Sequence, residues 1–84
     1  MRELTKQETQ EILEKLADDG VYSTRDVFPG KAGNDLIGLS ESIVRLAQLG
    51  YLTHGTVYRT GAHHMPRGVV EIRITPEGHQ WLED

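Results

Sequence analysis

The run NDLIGLSESIVRLAQLGYL, from Asn34 to Leu52, constrains this chain more than any other segment, because it reads as an amphipathic helix that stops at a glycine and turns directly into a strand. Over about residues 35–49 the helical step of about 100° gathers Leu36, Leu39, Ile43, Leu46, Ala47 and Gly50 on one side. Glu41, Arg45 and Gln48 lie opposite, and Ile37 and Val44 fall at the flank, where they pack on a neighbouring helix or meet a partner.

The flanking segments complete one layered unit. Thr5-Lys6-Gln7-Glu8 fits a capping box, and Ile12, Leu13, Leu16 and Ala17 then recur at helical spacing, which predicts a helix over about residues 5–18 with Gly20 as its left-handed stop. Val21-Tyr22-Ser23 is short and β-like. Ser23 or Thr24 then caps a brief helix containing Val27 and Phe28, which the proline and glycines of residues 29–34 end. After Gly50, Tyr51 to Thr53 and Thr56 to Arg59 look extended, and Val69 to Thr75 alternates, with Val70, Ile72 and Ile74 facing one way and Glu71 and Arg73 the other. These pair antiparallel across residues 60–68, expected to be a long mobile loop. Thr75 and Pro76 open a last helix whose Trp81 and Leu82 seal the core.

A chain of 84 residues with this order of elements is one α+β domain spanning residues 1–84. The absence of cysteine excludes a disulfide framework, thiolate metal sites and a cysteine nucleophile. With no run apolar enough for a bilayer and no signal-peptide opening, the expected location is the cytoplasm.

Two segments carry a family resemblance. Ile43-Val44-Arg45-Leu46-Ala47-Gln48-Leu49-Gly50-Tyr51-Leu52 looks like the exit from a recognition helix, and Ile74-Thr75-Pro76-Glu77-Gly78-His79-Gln80-Trp81-Leu82 looks like a strand running into a Thr-x-x-Gly helix start. In both the chain resembles the winged helix-turn-helix superfamily, in the style of MarR- and PadR-like regulators and small YjcQ-like bacterial or phage proteins. The resemblance implies a three-helix core, a two- to three-stranded antiparallel wing and a short C-terminal helix. It also implies a small regulator of transcription that binds double-stranded DNA, reading it with the helix at 35–49 and a wing at 54–68.

Charge supports that reading where the total does not. The net charge is −4, yet residues 42–70 hold Arg45, Arg59 and Arg67 and no carboxylate. On the DNA reading, Arg45 and Gln48 reach base edges, Ser40 and Ser42 lie near phosphates, and Arg59, His63, His64 and Arg67 meet the backbone along the wing. Few phosphates are neutralised, so a homodimer or a larger protein partner is expected to contribute. The alternative is a protein-interaction module without DNA binding, using Ile37 and Val44.

Other chemistries find less support. His63 and His64 with His54 raise a metal site, but adjacent histidines rarely chelate one ion without a third fixed ligand, so no metal and no cofactor is expected. No glycine-rich phosphate loop or nucleophile elbow is present, and the chain is not expected to be an enzyme.

Overall fold

The computed structural model describes residues 4–61 and 64–84. Among them the order is α1 (Lys6–Leu16), α2 (Thr24–Val27), α3 (Gly33–Gln48), β1 (Leu52–Thr53), β2 (Val57–Thr60), β3 (Met65–Val69), β4 (Arg73–Ile74) and α4 (Pro76–Glu83). The fold is α+β, with four helices and two small antiparallel sheets among the described residues.

Local chemistry explains most of the boundaries. Thr5 caps α1, its hydroxyl accepting from the Glu8 amide at 3.1 Å. At the other end it is Asp19, with φ 63°, that takes the left-handed turn expected of Gly20, its amide donating to the Leu16 carbonyl at 3.0 Å. Asp18 accounts for the exchange. Its carboxylate accepts from the Gly20 amide at 2.9 Å and from the Tyr22 hydroxyl at 2.6 Å, which sets the path of the chain beyond Asp19.

The Tyr22 hydroxyl and then the Gly20 amide hold the Asp18 carboxyl below its ordinary pKa, and the same contact raises the Tyr22 phenol. A depressed carboxyl favours folding above its unfolded pKa, and that contribution is lost as pH falls through the folded value. A raised phenol favours folding below its unfolded pKa, and that contribution is lost as pH rises through the folded value. Tyr22→Phe is therefore expected to raise the Asp18 pKa toward the usual carboxylate range with little change in thermal midpoint. Carboxyl-detected NMR titration checks this, and an unmoved Asp18 would refute the coupling.

The helix α2 opens on a reciprocal capping box, in which the Ser23 hydroxyl accepts from the Asp26 amide and the Asp26 carboxylate accepts from the Ser23 amide. The helix α3 begins at Gly33, earlier than the periodicity predicts, and ends as expected. Gly50 has φ 89°, and the Tyr51 and Gly50 amides each donate at 3.0 Å, to the Leu46 and Ala47 carbonyls. That pair is a Schellman closure. It aims the chain into β1.

The strands form a long hairpin with a break in the middle. The β1–β4 ladder pairs Leu52 with Ile74 and Thr53 with Arg73, whereas β2–β3 pairs Val57 with Val69 and Thr60 with Met65. Bonds from the Gly55 amide to the Val70 carbonyl at 2.9 Å and from the Val70 amide to the Thr56 carbonyl at 3.1 Å stitch the two together. Tyr22 adds a bridge to Ile72. The expected loop at residues 60–68 is thus shorter, since Met65 to Gly68 are already in β3. Regular alternation from Val69 to Thr75 also fails: Glu71 has φ 56°, and the irregularity there turns both Val69 and Ile72 inward.

Behind the strands, Ile12, Leu13 and Leu16 of α1 meet Val27, Ile43, Leu46, Leu52, Val69 and Ile72 in one buried cluster. Trp81 and Leu82 of α4 pack against it. No helix among the described residues is long and apolar enough to cross a membrane.

Candidate nucleic-acid interface

Three arginines, two from one hairpin and one from a helix more than thirty residues earlier, line one groove. Arg25 sits on the first turn of α2, Arg59 on β2 and Arg67 on β3, around a cavity of about 410 Å3 whose floor includes Leu36 and Val69. Each element places its arginine for a local reason. The Ser23 cap starts α2 so that Arg25 follows it on the surface. In β3, Tyr58 faces Gly68 and Arg59 faces Pro66, so Arg67 is the extra residue of a bulge and is pushed outward. The Arg59 guanidinium donates to the His64 carbonyl at 2.9 Å, which ties the side chain to the hairpin turn.

Among the described residues, no Asp or Glu lines this groove. Asp26, the nearest carboxylate in sequence to Arg25, accepts from both the amide and the hydroxyl of Ser23, at 3.1 and 3.0 Å. Tyr58 presents its ring at the rim and is 56 % exposed.

The other candidate residues divide between surface and core. Arg45 and Gln48 are exposed on the last turns of α3, on the ridge that also carries the half-buried Glu41, and neither lines the groove. Ser40 and Ser42 are buried and cannot lie near phosphates as expected. The Ser40 hydroxyl donates to the Thr24 hydroxyl at 3.3 Å, and the single Ser42 hydroxyl proton is shared between the Glu8 carboxylate and the Gly38 carbonyl. His64 is exposed at the hairpin turn with φ 50°, while His63 lies outside the described residues. The His54 Nδ1 lies 2.7 Å from the Gly55 carbonyl. No three metal-ligating side chains converge among the described residues. His79 joins α4 to the turn after α1 through a 2.8 Å contact between its Nε2 and the Asp19 carboxylate.

Ile37 and Val44 are half-buried, and Val44 packs against the core. The exposed large apolar side chains among the described residues are Val21, Leu49, Tyr58 and Met65. Of the flank offered as a partner interface, Val44 contributes to internal packing, and both side chains keep part of their surface exposed.

Sequence reasoning missed Arg25 and Tyr58. Tyr58 lies within the carboxylate-free stretch and was open to notice as an aromatic between basic residues; Arg25 sits beside an acid whose diversion into a cap is visible only in the fold. No family model, curated protein or solved structure matches this chain significantly.

Proposed function

We propose that this chain is a small winged-helix protein that binds double-stranded DNA, as a regulator of transcription. The observation that carries the reading is the gathering of Arg25, Arg59 and Arg67 around one carboxylate-free groove on a chain of net charge −4. Affinity for DNA comes largely from cations meeting phosphates, so a local basic surface matters more than the total. In this reading the β2–β3 hairpin is the wing. Its arginines and Arg25 hold phosphates, while Arg45 and Gln48 on the exposed ridge of α3 meet base edges in the major groove.

A single copy neutralises few phosphates, and the acidic remainder opposes close approach, so a second copy or a larger partner strengthens binding. Arg67→Ala is expected to weaken binding to every duplex about equally and to lower the salt slope by about one. Arg45→Ala is expected to cost about 1–3 kcal/mol at a specific site and little on random duplex. Fluorescence anisotropy across a salt series with mixed-sequence duplex checks the first, and competition between selected and scrambled duplexes checks the second. Unchanged affinity in both variants would remove this surface from DNA binding and favour a protein partner instead.

A further inference from the structure

The groove between α2 and the β2–β3 hairpin offers more than a duplex backbone requires. A phosphate on a convex wing needs one or two cations. Here a concavity of about 410 Å3 combines three guanidinium groups, an apolar floor from Leu36 and Val69, and a tyrosine ring at the rim. Small-ligand sites have this character: they start at roughly 300 Å3, are lined mainly by apolar surface and carry a few convergent polar groups. Guanidinium forks match phosphate oxygens two at a time, and an exposed tyrosine face stacks a base of any identity. Asp26 is held by Ser23 and does not line the groove, so no carboxylate on its wall competes for the arginines.

We infer that the groove holds a single nucleotide, with its phosphate between Arg25 and Arg67 and its base against Tyr58. The nucleotide comes either from solution or from an unpaired position in a strand. This deepens the nucleic-acid reading, on which it rests for the shared use of Arg67: a nucleotide in the groove occupies a cation that the duplex backbone also needs.

The test is a set of amide NMR titrations of the full chain at low salt. The probes are adenosine monophosphate, a short single-stranded oligodeoxyadenylate, inorganic phosphate and a mixed-sequence duplex. The monophosphate or the oligonucleotide should shift the amides of Arg25, Tyr58 and Val69, and inorganic phosphate should bind at least about tenfold more weakly. Tyr58→Ala should weaken nucleotide binding about fivefold or more, with Tyr58→Phe retaining it, and Arg67→Ala should weaken it roughly tenfold or more. A response to the monophosphate identifies a free nucleotide; a response to the oligonucleotide alone identifies a strand.

Equal binding of inorganic phosphate and the monophosphate would overturn the inference, and so would silence of the groove toward all the nucleotide probes. Duplex shifts at Arg45 and Gln48 with a silent groove would leave DNA binding standing without the nucleotide site. Groove shifts with no duplex response would support the nucleotide site and remove the duplex reading.

Discussion

Gly78→Ala is expected to destabilise the fold by about 3 kcal/mol, at the upper end of the usual cost of overpacking. A β-carbon at this position would stand 2.2 Å from the Tyr51 carbonyl oxygen and 2.7 Å from Ile74 Cγ1. The first obstacle is backbone, which no rotamer change removes. The surrounding bonds explain why the backbone cannot retreat. Thr75 donates its hydroxyl to the Gly50 carbonyl at 2.7 Å, accepts from the Gly78 amide at 3.2 Å, and sends its own amide to the Tyr51 carbonyl at 3.2 Å. The first turn of α4 is thereby pinned to the end of α3 and the start of β1. A domain of this size has roughly 4–13 kcal/mol in total. With a urea slope of about 1 kcal/mol per M, the midpoint should fall by about 3 M. Gly68→Ala is the control, since a β-carbon there meets nothing within 4 Å and the φ is not left-handed. Equal midpoints for Gly78→Ala and the parent would show that α4 is free to shift and that the close approach is not a constraint.

The same glycine shows where sequence reading succeeds and where it stops. Thr-Pro-Glu-Gly is legible as a helix start because capping is local chemistry, and the Gly50 stop of α3 is legible for the same reason. That Gly78 is small because the Tyr51 carbonyl, just ahead of β1, sits against it follows only from the fold. Ser40 and Ser42 make the point more sharply. On a helical wheel, serine beside apolar residues reads as a boundary residue, and its burial depends on partners 16 and 34 residues away, Thr24 and Glu8. The turn after α1 goes to Asp19 and not to Gly20 because the side chain of Asp18 takes the next amide. Pro66 and Gly68 read as loop residues, yet a bulge admits both into β3 and turns Arg67 outward. For the candidate interface, the charge distribution already pointed to Arg59 and Arg67, whereas bringing Arg25 to them requires the contact between α2 and β3.

That contact rests on one hydroxyl, and Thr24→Val should expose its importance. Thr24 is 2 % exposed. Its oxygen accepts from the Val69 amide at 3.0 Å and from the Ser40 hydroxyl at 3.3 Å, joining α2, α3 and β3 through a single atom. Valine has nearly the same shape, so the substitution leaves packing in place and removes the hydroxyl, both as the acceptor and as a donor to the Val69 carbonyl at 3.5 Å. Two buried donors are then without a partner. At about 1–3 kcal/mol for each such group, the expected loss is about 2–6 kcal/mol. Ser40→Ala removes a donor and leaves the Thr24–Val69 bond intact, so it should cost only about 1 kcal/mol. Combining the two should cost less than the sum of the single changes, because the second removes a group that the first had orphaned. The local consequence is a looser join between the strand carrying Arg67 and the helix carrying Arg25. Hydrogen exchange at the Val69 amide reads that join directly. Faster exchange in Thr24→Val, with little change in Ser40→Ala, is the expected pattern. An unchanged Val69 amide in Thr24→Val would mean that other contacts hold the two arginines together.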